Sequence, residues 1–240
     1  MKFSQALEAG RLLKRYKRFL ADVELDSGAT ITAACPNTGS MLGCNVPGSR
    51  VWLSSSDSPT RKYRHTWELV EARPNVIVGI NTGYPNRLVI EAIEAGVVKE
   101  LSGYRDIKTE VRYGNENSRI DMLLDGHRKK PRCYVEVKNV TAAVENGVAL
   151  FPDAVSERGS KHLRELMAMV AQGFSAVLVF CVQRSDVHEV RPADSIDSVY
   201  GKTLRQALTN GVEVLAYRAR ISPWEIALEQ KIPVVCPELK

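Results

Sequence analysis

The alternation of apolar and polar residues changes character near Pro85. Before it, short runs with period-two patterning are separated by turn residues: "RYKRFLADVEL", "ATITAAC", "RVWLSSS", "HTWELVEA" and "VIVGINT", with breaks at "DSG", "CPNTGSMLGCNVPGS" and "SDSPTRK". Such runs bounded by Gly, Pro, Asn and Ser predict strands. Five of them between Tyr16 and Thr82 predict a small barrel.

After Pro85 the period lengthens. "NRLVIEAIEAG" places Leu88, Ala92 and Ile93 on one helical face, with Gly96 to end it. Three strands follow, "IKTEVRYG", "SRIDMLL" and "RCYVEVKNV", then a helix "SKHLRELMAMVAQG" with Leu163, Leu166, Met167 and Val170 on one stripe, Ser160 as its cap and Gly173 as its stop. The apolar strand "SAVLVFCV", a helix through "SIDSVYGKTLRQALTNG" and a strand "VEVLAYRA" complete the order αβββαβαβ. Continuously apolar strands after helices mark crossovers and a mixed sheet. The expected fold is α+β in two domains: a barrel over residues 1–84 and a mixed-sheet domain over residues 85–240. A five-stranded barrel of this size is the OB type, which holds single-stranded nucleic acid across one face; strand count alone leaves an SH3-like barrel open.

Composition narrows the classes. A length of 240 residues with 44% hydrophobic content suits two folded domains. The longest apolar run, Ala176 to Val182, is far short of the ~20 residues of a membrane span, and the N-terminus has no signal-peptide core, so a cytoplasmic location without membrane contact is expected. Five scattered cysteines with no CxxC pair suggest neither a disulfide framework nor a zinc cluster. A net charge of +5 permits a polyanionic partner without requiring one.

The most informative stretch is "SRIDMLLDGHRKKPRCYVEVKNV". A symmetric hairpin around "DGHRKKPR" sets Asp121 opposite Glu136, with Lys138 on the same face and Val135 and Val137 on the other beside Ile120 and Met122. Two carboxylates ~5 Å apart repel by roughly 3 kcal/mol at an effective dielectric near 20, so a partly buried pair needs a proton or a cation. A divalent metal meets that need. Mg²⁺, with Mn²⁺ as an alternative, binds to one or two carboxylates and to substrate phosphate together. It would polarise a scissile phosphate while Lys138 orients water or offsets growing charge. A solvated strand face with an ordinary Lys138–Asp121 ion pair also accounts for the spacing.

An acid on the second strand and E-x-K on the third, within αβββαβ, resembles the PD-(D/E)xK nuclease superfamily. The segments "RYKRFLADV", "CPNTGSMLGC", "TWELV", "NRLVIEAI", "ELSGY", "SRIDMLL", "YVEVKNVT", "FPDAVSERGSKHLREL" and "GVEVLAY" are similar to the sugar fermentation stimulation protein A family, across Arg15 to Tyr217. The resemblance implies an OB-like domain, a nuclease-like domain and DNA binding. It makes Asp121 and Glu136 metal ligands and Lys138 the catalytic lysine. It adds Glu91 from the first helix as a further ligand, against a plain surface pair with Arg87, and Lys161 as a catalytic basic residue, with Arg158 and His162 as neighbours able to fill that place. The superfamily's proline before the first acid is replaced by Ile120.

For nucleic acid, "RLLKRYKRF" offers Arg15, Lys17 and Arg18 around Tyr16, and "RKYRHTW" offers Arg61, Lys62 and Arg64, while Phe19 and Trp52 are expected to pack in the barrel. Two functions remain open: a Mg²⁺-dependent nuclease acting on DNA or RNA, single strands included, or a non-catalytic DNA-binding regulator linked to sugar metabolism. Clustered acids beside a polyanion favour the enzyme, because without a metal they would repel phosphate.

Overall fold

The computed structural model describes residues 1–114, 116, 118–143 and 145–238. Its first unit is a closed barrel of β1 (Glu8–Tyr16), β2 (Leu20–Leu25), β3 (Thr30–Ala34), β4 (Arg50–Ser55) and β5 (His65–Arg73), with β6 (Val76–Gly79) appended to β5. The ring runs β1-β2-β3-β5-β4, closed by parallel pairing of Ala33 and Ala34 with His65 and Thr66. This is an OB barrel, which resolves the alternative left open by strand count.

Two expectations are corrected here. "RYKRFLADVEL" is not one strand: it holds the end of β1, a tight hairpin and β2, with Lys17 and Arg18 at φ of 49° and 66°. Neither is Gly or Asn, so the usual sign of a left-handed turn is missing. The expected fifth strand, "VIVGINT", is β6 and lies outside the closed ring. Met1, Phe3 and Leu7 pack against the core of the second unit rather than inside the barrel.

The second unit has a six-stranded sheet in the order β14-β13-β11-β9-β8-β7. Its strands are β7 (Asp106–Tyr113), β8 (Ser118–Asp125), β9 (Cys133–Val140), β11 (Ser175–Val182), β13 (Glu213–Ile221) and β14 (Ile226–Ile232). β7, β8 and β9 form an antiparallel meander; β9, β11 and β13 are parallel; β14 returns antiparallel, so the sheet is mixed. Two short strands, β10 (Val148–Phe151) and β12 (Glu189–Pro192), pair beside it.

Helix α1 (Pro85–Glu94) covers one face of this sheet through Leu88, Val89, Ala92 and Ile93. Helices α2 (Glu157–Ala171) and α3 (Ser198–Thr209) cover the other through Leu163, Leu166, Tyr200 and Leu204. Ser156, not Ser160, caps α2 by accepting the Gly159 N–H at 3.0 Å. No helix of the described residues is long and apolar enough to cross a membrane.

The units are welded along a shared seam. Leu69 of β5 and Trp52 of β4 pack into the α1-side core of the second unit. Gly79 donates its N–H to Gln183 O at 3.0 Å, Gln183 Nε2 donates to Asn139 Oδ1 at 2.8 Å, and Ser40 Oγ donates to Asp153 at 3.0 Å.

Candidate functional site

The β7–β8 ladder skips Asp121, and the β8–β9 ladder stops one residue short of it. β8 pairs with β9 from Met122–Val135 to Leu124–Cys133, and with β7 on both sides of Asp121, but neither ladder includes Asp121 itself. Continuing the β8–β9 register would set Asp121 opposite Glu136. The Asp121 carboxylate takes the place of a ladder bond: Oδ2 accepts the Val137 N–H at 2.7 Å, and Oδ1 accepts from Asn86 Nδ2 at 3.0 Å. Across the sheet Glu110 has φ of 54°. One consequence contradicts simple alternation. Ile120 joins the α2-side core while Met122 joins the α1-side core, so the two do not share a face as the sequence pattern implied.

Glu136 is 2% exposed on the central strand β9. Its Oε1 accepts from Lys138 Nζ at 2.7 Å and from His162 Nδ1. His162 Nε2 lies 3.3 Å from Arg158 Nε, and its Nδ1, against Glu136 Oε1, also lies 3.2 Å from Lys138 Nζ, so the imidazole is wedged between two cations and the carboxylate. Burial is the largest influence on Glu136 and opposes its ionisation, yet the His162 bond and the Lys138 charge outweigh it and hold the carboxyl below its usual range. Asp121 behaves oppositely. Burial, then the Glu136 charge, push its carboxyl up against the Val137, Asn86 and Lys138 contributions. The pair is one acid held ionised beside one that resists ionisation.

The structure therefore brings Asp121, Glu136 and Lys138 together, and adds Asn86 and His162. It does not bring Glu91 or Lys161 to them. Glu91 bonds the Met1 amino group at 2.5 Å and Arg87 at 2.8 Å. Burial is the largest influence on its carboxyl and opposes ionisation, but those two bonds outweigh it and lower the value. Lys161 donates to the Glu116 carbonyl, and its neighbour His162 occupies the position the resemblance had given it. The signal for His162 lies in the helix pattern: His162 and Glu165 both fall within the buried arc of α2 set by Leu163, Leu166 and Met169. Glu165 in turn accepts the Glu116 N–H, which secures the β7–β8 connection.

The basic residues gather at one rim of the barrel. Tyr16 pairs with Leu20, Leu20 with Ala34 and Ala34 with Thr66, so the β1–β2 hairpin, the 35–44 loop and the start of β5 share an end. Within it, Arg15 donates to the carbonyls of Arg18, Asn37 and Gly39, and Arg18 Nε donates to Thr38 O, so both guanidinium groups hold the loop. Arg61 bonds Thr66, Arg64 bonds Asp57, and Tyr16 lies under Lys14 with its hydroxyl on Asp22. Lys17 and Lys62 have no ion-pair partner among the described residues, and Lys62 sits 5.6 Å over the Tyr63 ring. Phe19, expected in the core, is 50% exposed on the hairpin beside Lys17 and Arg18.

The donor set suits a hard divalent cation. Among the described residues no three His, Cys, Asp or Glu side chains are arranged to hold a metal ion. Two carboxylates, however, are what Mg²⁺ uses when water and phosphate complete its shell. Glu136 Oε2 is buried and has no hydrogen-bond partner in the protein, which leaves a negative oxygen that a cation would satisfy.

Comparison with known proteins gives a consistent pattern. The family model for the sugar fermentation stimulation protein RE domain matches residues 83–225, and that for the SfsA N-terminal OB domain matches residues 13–80. A sugar fermentation stimulation protein homolog from Thioalkalivibrio sulfidiphilus is 62% identical, covering 98% of each chain. One from Geobacter metallireducens is 59% identical, over 98% of this chain and 100% of its own. The solved structure of Pyrococcus furiosus SfsA in complex with Ca²⁺ is 27% identical and superimposes with a TM-score of 0.86 over 98% of each chain.

Proposed function

The chain belongs to the sugar fermentation stimulation protein family, and we propose that it is a divalent-metal-dependent nuclease whose barrel rim holds a strand of DNA or RNA while the second domain hydrolyses phosphodiester bonds. The observation that carries this reading is the buried pair Asp121 and Glu136, with Lys138 bonded to one acid and Glu136 Oε2 left bare. A purely structural ion pair would have no use for the second acid or the bare oxygen. The Ca²⁺ in the archaeal relative's complex is a hard, oxygen-seeking cation, and it supports a divalent ion in this fold.

Asp121 and Glu136 would hold the ion. Such an ion would supply polarisation of the phosphate and a more acidic water. The chain's own groups do the rest. The Asn86 amide and the Val137 N–H fix the Asp121 carboxylate, and His162 fixes Glu136. Preorganisation of this kind removes reorganisation cost from the transition state. Lys138 Nζ, anchored on Glu136, supplies a positive charge where negative charge grows on the phosphate oxygens. Lys17 and Lys62 draw in the polyanion, and Phe19 offers a ring to an unpaired base.

The test is direct. Purified protein is incubated with supercoiled DNA, single-stranded DNA and RNA, in Mg²⁺ or in chelator, beside Asp121→Ala. Cleavage by the wild type in Mg²⁺ alone, lost in the variant, is expected. Cleavage that survives in the variant, or gel-shift binding with no cleavage by the wild type in Mg²⁺ or Mn²⁺, would replace the proposal with a contaminant or a binding-only regulator.

A further inference from the structure

The loop that carries Lys62 also borders a concavity of about 400 Å³ on the α1 side of the molecule, between the N-terminal segment, the end of β4 with the residues after it, and the start of α1. Lys2, Arg61 and Arg87 line it, and no Asp or Glu does. Exposed arginines such as Arg50 and Arg132 are matched by a carboxylate, Asp26 and Asp125. Here the cations are in excess. Lys2 has no ion-pair partner among the described residues. Glu91, which pairs with Arg87 through Nε alone, also receives the Met1 amino group, so one carboxylate faces two cations. Arg61 uses Nη2 on Thr66. Glu68, buried beneath Ser54, has its carboxylate oxygens taken by Ser54 Oγ at 2.6 Å and Asn81 Nδ2 at 2.7 Å.

Hydroxyl donors complete the set. Ser55 Oγ accepts from Gln5 Nε2 at 3.4 Å and Ser56 Oγ from the Ser58 N–H at 3.3 Å, which leaves each O–H to donate. Phe3 and Tyr84 stand edge to face, ring centroids 6.2 Å apart, as an apolar wall. Cations with O–H donors recognise phosphate, and rings beside them suit an unpaired base. We propose that this concavity is a subsite for one phosphate-bearing nucleotide of the substrate strand. The inference rests on the nuclease reading and gives the strand a hold on the α1 side, apart from Lys17 and Phe19 at the barrel rim.

Its place on α1 ties it to the acids. Tyr84 and Arg87 flank Pro85 and Asn86, and the Asn86 amide donates to Asp121 at 3.0 Å. The concavity thus borders the first turn of α1, the same turn that reaches Asp121. Ionised acids repel an arriving phosphate, and cations at their border offset that repulsion as the strand comes in. A volume of about 400 Å³ lies toward the low end of the ~300–1,000 Å³ of pockets that enclose small ligands, which suits one nucleotide and not a duplex.

The experiment measures fluorescence anisotropy of the full chain with a labelled single-stranded oligonucleotide in Ca²⁺ over a salt series. Lys2→Gln together with Arg87→Gln, which leaves Glu91 on the Met1 amino group, should weaken binding about tenfold or more at low salt and flatten the slope of log affinity against log salt by about 1.4, at ~0.7 per phosphate contact on a single strand. Lys2→Gln alone, which removes no hydrogen bond, should give about half that change in slope. Arg128→Gln together with Lys129→Gln takes the same charge from the exposed β8–β9 hairpin, which precedes β9 while the seam with the barrel lies at its other end, and should change neither. No loss in the Lys2 and Arg87 variant, or an equal loss in the hairpin variant, overturns the subsite and leaves the nuclease reading standing. A free mononucleotide that binds the wild type but not that variant, with oligonucleotide affinity unchanged, overturns the strand subsite in favour of a small phosphorylated ligand. The expected binding pattern without cleavage in Mg²⁺ keeps the subsite and overturns the nuclease. No binding of any oligonucleotide overturns both.

Discussion

Replacing Lys138 with Met tests the electrostatic core of the site with one substitution. Met keeps the unbranched shape, so packing changes little while the cation disappears. Glu136 is 3% and Lys138 13% exposed in their side chains, so the pair lies largely out of solvent screening. Removing one partner of a buried ion pair costs about 3–5 kcal/mol, and the partial exposure of Lys138 places this case near the low end. At roughly 2–4 °C per kcal/mol for a chain of this length, the melting temperature in chelator should fall by about 6–12 °C.

The pH dependence follows from the two carboxyls. An acid whose folded value is raised, as for Asp121, imposes a stability loss that develops as pH rises from the ordinary aspartate range through the raised value, and that is absent below it. Glu136, held low, contributes stability present above its unfolded value and lost as pH falls through its folded one. Lys138 lowers both carboxyls, so without it the Asp121 penalty grows and the Glu136 contribution shrinks, both at neutral pH. The gap between wild type and variant should therefore narrow toward acid, and Ca²⁺ should raise the variant's melting temperature more than the wild type's. Thermal unfolding by circular dichroism over a pH series reads all three. A gap under about 2 °C, or one indifferent to both pH and Ca²⁺, would refute the reasoning.

Three further outcomes are expected. Gly114→Ala would put a Cβ 1.9 Å from Glu165 Oε2 at a φ of +70°, so stability should drop by about 2 kcal/mol, seen as a lower denaturant midpoint at unchanged slope. His162→Ala should lower kcat at least about tenfold with KM little changed, while Lys161→Ala stays within about twofold; the reverse order in steady-state kinetics would return the role to Lys161. Lys17→Glu together with Lys62→Glu should weaken binding to every sequence alike and flatten the salt dependence by about one unit of slope per lysine, measured by titration at several ionic strengths.

Legibility in the sequence followed whether the deciding contact was local. "SAVLVFCV" is strand β11 from its first residue to its last, because a fully buried parallel strand must be apolar throughout. The β1–β2 hairpin was hidden because its turn uses Lys17 and Arg18 in a left-handed conformation with no glycine to mark it. β14 was hidden because it is an edge strand with exposed Glu229, Gln230 and Lys231, and it resembles a solvated tail. In the site, period two was enough to place Glu136 and Lys138 together. It failed at Ile120, where the ladder breaks around Asp121. Glu91 and Asn86 are both polar residues on α1, and only the packing of that helix decides which one meets the sheet. Pro85 at its start puts Asn86 in the first turn, against β8.

The seam between the units bears on what kind of substrate the site can accept. Domains in one chain usually move against each other when their interface is small and polar. Here Leu69 and Trp52 pack into the core of the second unit, and through Gln183 the Gly79–Gln183–Asn139 bonds link β6, which extends the barrel strand β5, to strand β9. The basic rim and the acids are therefore held at a set separation, and a substrate that reaches both must conform to it. A single strand adapts to a fixed path at little cost, whereas a duplex that does not match it must kink or unstack, at a cost of several kcal/mol. The wild type should accordingly cut single-stranded or locally melted substrate faster than intact duplex of the same sequence. A preference for intact duplex would mean that the polynucleotide reaches Asp121 and Glu136 without crossing the barrel rim.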